Sequence, residues 1–247
     1  MKILAIESSG TVAGTAIWQD GELRAEYTVN YKKTHSQTLL PMIDEIIRMT
    51  ETDKTSFDAI AVSAGPGSFT GLRIGSATAK GLGLAWKIPL AAVPTLDAMA
   101  YQCYLAQGLI CPIMDARRKQ VYTGIYRFTD KGEFQVIKPS CAIAIETLLS
   151  ELNDMREPVL FLGDGVAVYR SVIEEMCTVP VVFAPAFQAR QRAAAVAELG
   201  AVYAREGRLQ APEDHAPEYL RMSQAERERA AKLGRTEAEL AGDAHVG

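Results

Sequence analysis

The chain has 247 residues, 48% of them apolar and 23% charged, a balance that suits one large or two small globular domains and excludes a chain too polar to bury a core. A net charge of −4 speaks against a protein that holds phosphate backbones unaided, so a nucleic-acid role would need a partner. The apolar run at residues 3–6 is too short for a secretory leader, which points to a cytoplasmic protein with no membrane attachment.

In chain order, the apolar pattern predicts strands over residues 2–7, 13–19 and 22–30, joined as an antiparallel meander by a loop at Ser8, Ser9 and Gly10 and an Asp20-Gly21 turn. Helices over 36–50, 69–86 and 95–106 then alternate with strands over 58–63 and 89–93. The order restarts with strands over 109–115, 120–128 and 133–142. A helix near 146–155, a strand over 158–162, a Gly163-Asp164-Gly165 turn, another helix, a strand over 179–183 and an alanine-rich helix over 190–205 follow. A pattern present twice predicts an α/β fold of two tandem ribonuclease-H-like (actin-like ATPase) lobes, each a mixed five-stranded sheet flanked by helices. The expected divisions are an N-terminal lobe at 1–106, a C-terminal lobe at 107–222 and a charged tail at 223–247. In the tail, Ser223-Gln224-Ala225-Glu226 reads as a capping box, with too little apolar bulk behind it for more than an exposed helix or disorder.

The run from Ser63 to Gly75 carries the most information. An apolar strand empties into Gly65-Pro66-Gly67, and the helix that follows holds glycine at 71, 75, 81 and 83. Each helical glycine costs about 1 kcal/mol relative to alanine, so close contact with another surface must compensate. Gly71, Gly75, Ala79 and Gly83 recur every fourth residue, and this nearly bare stripe is expected to face a second polypeptide. The preceding helix adds Leu39, Leu40, Ile43, Ile46 and Ile47 as a broad apolar face, despite Pro41, and the two helices together read as a docking platform.

Chemistry has fewer candidates. In nucleotide-binding proteins of this architecture the first turn of each half approaches phosphates through backbone N–H groups, which here points to Ser9, Gly10, Thr11 and Asp115. Gly163 and Gly165 frame a turn that serves a nucleotide phosphate or simply reverses the chain. Glu7 stands near where a kinase of this class would hold a metal-binding aspartate, or is a solvated strand end. The basic run Arg117-Arg118-Lys119 reads as a solvated loop. His35, His215 and His245 lie in separate segments, so no metal site is expected, and Cys103, Cys111, Cys141 and Cys177 read as reduced core residues. Ser68 lacks a nucleophile-elbow context and is expected to cap the following helix.

Five blocks taken together resemble the TsaB (YeaZ) family: I-L-A-I-E-S-S at the start, H-S-Q-T-L-L-P-M-I at 35–43, S-A-G-P-G-S-F-T-G-L-R-I-G at 63–75, D-A-R-R-K-Q-V-Y at 115–122 and P-E-Y-L-R at 217–221. The resemblance implies a noncatalytic subunit of the bacterial complex that forms N6-threonylcarbamoyladenosine beside the anticodon of tRNA. It implies docking of the first two helices on the catalytic paralogue TsaD, or on a second copy as a homodimer, with a TsaE-like ATPase joining and tRNA met only as part of the complex. Carried over, the interface would comprise Leu39, Leu40, Ile43, Ile47, Leu72, Arg73, Gly75, Ala79 and Leu82. No catalytic residue carries over, and the missing H-x-x-x-H motif of TsaD argues against glycoprotease activity. Any ATP or ADP would belong to the complex, since Glu7 stands where the family usually has aspartate. The alternative reading is a stand-alone ATP-dependent kinase or hydrolase.

Overall fold

The computed structural model describes residues 1–31 and 33–221. The first sheet has the order β3-β2-β1-β4-β5, built from β1 (Lys2–Glu7), β2 (Ala13–Gln19), β3 (Glu22–Val29), β4 (Ala59–Gly65) and β5 (Leu90–Pro94). Strand β2 pairs antiparallel with β1 and β3, whereas β1, β4 and β5 run parallel, with Ile3 opposite Ala59 and Ile60 opposite Leu90. The second sheet repeats this plan with β6 (Leu109–Asp115), β7 (Gln120–Phe128), β8 (Phe134–Ala144), β9 (Val159–Leu162) and β10 (Val181–Phe183), in the order β10-β9-β6-β7-β8. Two mixed five-stranded sheets flanked by helices are the duplicated α/β architecture expected from the repeated pattern.

Among the described residues the six α-helices are α1 (His35–Met49), α2 (Phe69–Trp86), α3 (Thr95–Tyr101), α4 (Ile145–Met155), α5 (Gly165–Met176) and α6 (Ala193–Arg205). Because side chains alternate along a strand, the first sheet has two unlike faces. One presents Leu4, Ile6, Ile17, Ile60, Val62 and Leu90 to α1 and α2. The other presents Ala5, Ala16, Ala59, Ala61 and Ala91, and against it lies α6 with Ala193, Val196, Ala197, Leu199 and Ala201. Alanine against alanine lets helix and sheet approach closely, and at Gly200 even one methyl more would stand 2.4 Å from the Ala61 Cβ. Glu26 of β3 fixes the start of α6 by accepting hydrogen bonds from the Ala194 N–H (3.0 Å) and the Arg192 Nε (3.0 Å).

That packing corrects the expected lobe boundary. Helix α6 follows the second sheet in the chain yet covers the first. Conversely α3 precedes the second sheet and packs on it, where Leu96, Met99 and Ala100 meet Ile110, Met114, Tyr126 and Phe128. Each half thus contributes one helix to the other's sheet, and α4 and α5 close the remaining face of the second sheet. Helix α3 also stops at Tyr101, short of the predicted Ala106, because the chain must turn through Leu105 at φ 57° and Gly108 at φ 76° to enter β6. A Cβ at Gly108 would stand 2.4 Å from the Pro158 carbonyl oxygen.

Beyond α6 the chain returns along α2 as an extended strap. Leu90 and Gln210 exchange both backbone hydrogen bonds at 2.9 Å, and the Glu218 N–H donates to the Ala64 carbonyl at 2.7 Å. The predicted capping box at residues 223–226 lies outside the described residues. Among the described residues no helix is long and apolar enough to cross a membrane, and all four cysteines are free thiols.

Candidate functional site

At the end of β1, Glu7 is 1% exposed. Its Oε1 accepts from the Ser9 N–H and the Ser9 Oγ, both at 2.6 Å, and its Oε2 accepts from the Ser63 Oγ. Burial raises its pKa, outweighing the lowering by these donors. Glu7 is therefore neither a solvated strand end nor a group open to a ligand, since its carboxylate is enclosed by the loop it organises.

The same loop explains the glycines of α2. Ser68 caps the helix, its Oγ accepting from the Gly71 N–H at 3.3 Å, while the Ser68 N–H donates to the Ser9 carbonyl at 2.6 Å. Added Cβ atoms at Gly71 and Gly75 would stand 2.1 Å from the Ser8 carbonyl and hydroxyl oxygens, respectively. At Gly83 the neighbours are Pro212 of the strap and the Ile88 carbonyl. The stripe of 71, 75, 79 and 83 thus faces inward, contrary to the expectation that a second polypeptide covers it. The apolar pattern favoured the outward reading because large residues occur around most of α2, and nothing in it revealed that the Ser8–Ser9 loop would lie beneath.

The nine residues expected at an interface divide accordingly. Leu39, Ile43, Ile47, Leu72, Gly75 and Ala79 are buried in their own lobe, which takes them off the surface, whereas Leu40 and Arg73 are exposed and Leu82 is half-buried. The outward face of α2 is a different four-residue repeat, Ala77, Gly81 and Ala85, with nothing within 4 Å of a Cβ built on Gly81. Leu84 is 51% exposed beside it and Leu40 54% exposed on α1. Between the helices Leu40, Leu82 and Trp86 line an apolar groove of about 410 Å³. These outward positions were missed, although the spacing at 77, 81 and 85 was there to read.

The two lobes enclose a second, more polar cavity of about 380 Å³. Ser9, Gly10 and Thr11 line it from the first lobe and Asp115, Arg117 and Asp164 from the second, so the first turn of each half does meet the cleft. Gly163 and Gly165 do not line it. They pack against β6, where a Cβ on Gly163 would lie 2.1 Å from the Ile113 carbonyl oxygen. Asp115 is occupied by its own turn, accepting from the Arg117 N–H (2.9 Å) and the Tyr169 hydroxyl (3.2 Å). Asp164 is mostly buried with its Oδ1 unpartnered, and burial raises its pKa against the lowering influence of Arg190.

The strap roofs this cleft. Tyr219 packs on Phe69 at 4.6 Å between ring centroids, and Arg73 lies over the Phe69 ring at 4.0 Å while its Nε donates to the Tyr219 hydroxyl at 3.3 Å. Arg221 then crosses to the second lobe and donates Nη1 to the Ala116 carbonyl at 2.6 Å. Among the described residues no three His, Cys, Asp or Glu side chains cluster in a way that suits a metal ion.

Known proteins resemble this arrangement closely enough to classify it. The family described as TsaD, tRNA N6-adenosine threonylcarbamoyltransferase, matches residues 22–229. The tRNA threonylcarbamoyladenosine biosynthesis protein TsaB of Bacillus subtilis (strain 168) is 34% identical over 228 residues, covering 92% of this chain and 96% of that one. Its counterpart in Escherichia coli (strain K12) is 30% identical over 167 residues, 67% of this chain and 72% of that one. The solved structure of YeaZ from Pseudomonas aeruginosa superposes with a TM-score of 0.76 at 26% identity, over 89% of this chain and 99% of that one. Identity along nearly the whole length, on a two-lobed fold that superposes on a solved YeaZ structure, makes this chain a member of the TsaB family.

Proposed function

We propose that the chain is a noncatalytic subunit of the machinery that forms N6-threonylcarbamoyladenosine beside the anticodon of tRNA, and that it works by holding a TsaD-type catalytic subunit against α1 and α2. The observation that carries this reading is the outward face of α2. Ala77, Gly81 and Ala85 leave room for the backbone of another helix to approach, and Leu40 and Leu84 stand exposed beside them. Because each leucine is already about half covered, burying the rest under a partner contributes about 0.7–1.5 kcal/mol apiece. Family membership supports the pathway, and the match to the TsaD family supports a partner built on the same plan. The enclosure of Glu7 supports a structural rather than catalytic role for the first-lobe loop. In this reading a TsaE-like ATPase joins the assembly, ATP or ADP and tRNA enter only with the complex, and two copies pair through the same face when the partner is absent. The work takes place in the cytoplasm.

Co-purification tests the proposal. The full chain is expected to capture a TsaD-family subunit, and Gly81→Arg with Leu84→Glu should abolish capture without lowering the melting temperature. Capture undiminished by the double change would refute the assigned face. Rapid turnover of Mg-ATP by the isolated chain, with no TsaD binding, would establish the stand-alone kinase or hydrolase instead.

A further inference from the structure

We infer that the turn between β6 and β7 is a contact site for the phosphates of an RNA backbone. Arg117, Arg118 and Lys119 adopt φ values of 65°, 55° and 58°, three successive side-chain-bearing residues in the left-handed region that glycine or asparagine enters more readily. The conformation is held by its surroundings. The Ala116 N–H donates to the Gln120 carbonyl (3.0 Å), the Gln120 N–H to the Arg117 carbonyl (3.1 Å), and the Ile145 N–H to the Lys119 carbonyl (3.0 Å). Strain retained in a rigid frame, at positions that all carry a cation, points to work done by the side chains.

All three are exposed, the Arg117 side chain by 85%. Arg117 pairs with Asp115 at 3.2 Å, but among the described residues neither Arg118 nor Lys119 has an ion-pair partner. Arg221 arrives from the strap, 105 residues beyond Ala116, and adds a fourth cation whose partner is a carbonyl rather than a carboxylate. Arg117, Arg118 and Arg221 therefore meet from two distant segments along one rim of a chain of net charge −4, Lys119 follows next in the turn, and Asp115 is the one carboxylate ion-paired to them among the described residues. Arg117 and Arg221 line the interlobe cleft, whereas Arg118 lines a separate outer concavity that shares Arg221. A single nucleotide inside the cleft would meet only one side of this rim. A run of phosphates passing over it meets both, and arginine is suited to grip each one in bidentate fashion. That the RNA is a tRNA rests on the function proposed above.

The test compares wild type with Arg118→Gly/Lys119→Gly, since glycine accepts the left-handed conformation and should keep the melting temperature at or above that of wild type. Binding of an unmodified tRNA transcript is followed by anisotropy across a salt series, with the full chain alone and mixed with a TsaD-family subunit. The double variant should bind at least about fivefold more weakly at low salt, with the slope of log affinity against log salt reduced by about 1.4–1.8, as expected for two lost phosphate contacts. Arg24→Ala, at an exposed cation elsewhere, should leave both unchanged. Unaltered affinity and slope in the double variant, or no RNA binding in either format, would overturn the inference. So would tripolyphosphate displacing the transcript at equal molar concentration, because that marks a nucleotide site. Failure to pair with the TsaD-family subunit counts against the proposed function, whereas a paired complex whose RNA affinity and salt slope ignore the double change counts against the turn alone.

Discussion

Gly75 rests on Ser8: a methyl group added to Gly75 would lie 2.1 Å from the Ser8 hydroxyl oxygen, and that hydroxyl donates to the Gly71 carbonyl at 2.9 Å. Helix α2 can lie on the loop after β1 only because its inward stripe lacks side chains. Gly75→Leu is therefore expected to destabilise the protein by about 3 kcal/mol, through overpacking against Ser8 and Ile6 that the Ser8 hydroxyl can ease only by giving up its bond to the Gly71 carbonyl. Gly81→Ala, on the open side of the same helix, should stabilise by up to about 1 kcal/mol. Urea denaturation of the two variants checks both signs, and equal midpoints would show that the inward stripe is not under contact.

That contrast marks what the sequence could reveal. Both four-residue repeats, 71-75-79-83 and 77-81-85, are visible as text, and helical periodicity places them on different sides of α2. Choosing between them needed the position of Ser8, which comes from the loop after β1, 63 residues before Gly71, and from no local pattern. The repeated strand order was readable because apolar alternation is local. The exchange of α3 and α6 between sheets was not, although its trace lay in the alternate alanines of β1, β2, β4 and β5 that match the alanine-rich α6. In the cleft, Ser9, Gly10, Thr11 and Asp115 were found by their place in the fold, while the roof formed by Tyr219 and Arg221 depends on a strap without periodicity.

Helix α6 is tied to the first sheet by two carboxylates, its own Glu198, which accepts from the Trp18 Nε1 at 2.6 Å, and Glu26 of β3. Glu26, with a side chain only 8% exposed, serves both the Arg192 guanidinium and the Ala194 N–H. Glu26→Ala leaves Arg192 without its partner and the helix start without its acceptor. Because the Arg192 side chain remains 38% exposed and can turn to water, the expected loss is about 1–3 kcal/mol, below that of a fully buried pair. A chemical-denaturation midpoint within error of wild type would show that the alanine packing and the Glu198–Trp18 bond seat the helix without Glu26.

Glu7 supplies a pH test. Its folded-state pKa lies above the ordinary 4.5, chiefly through burial, so the folded protein holds this proton more tightly than the unfolded chain does. Its contribution to stability is full below about pH 4.5 and is lost as pH rises through the folded value. Glu7→Gln keeps an acceptor for the Ser9 N–H and a donor toward Ser63 while removing the charge. The variant should be more stable than wild type at pH 8, with the difference shrinking as pH falls toward 4.5. Stability curves for the pair measure this, and a gap that widens on acidification would reverse the assignment.

His215 carries the opposite dependence. Its ring is 2% exposed, its Nδ1 lies 2.7 Å from the Gln210 amide nitrogen and its Nε2 lies 3.0 Å from the Ser76 hydroxyl. With the Gln210 amide donating to Nδ1, the neutral ring keeps its proton on Nε2, which donates a hydrogen bond to the Ser76 hydroxyl oxygen. Burial, and then the nearby Lys80 ammonium that donates to the His215 carbonyl at 3.0 Å, lower the folded-state pKa below the ordinary 6.5. The unfolded chain therefore takes up the proton first. Stability anchored here is complete above about pH 6.5 and is lost as pH falls through the depressed value. Loss should appear first in the strap, as a falling protection factor, exchange being compared with the intrinsic rate at each pH, for the Glu218 amide, whose N–H is bonded to the Ala64 carbonyl. Against His215→Gln, wild type should show a stability difference that declines between pH 7 and pH 5. A difference that stays constant over that interval would mean that the strap is not held through the neutral ring.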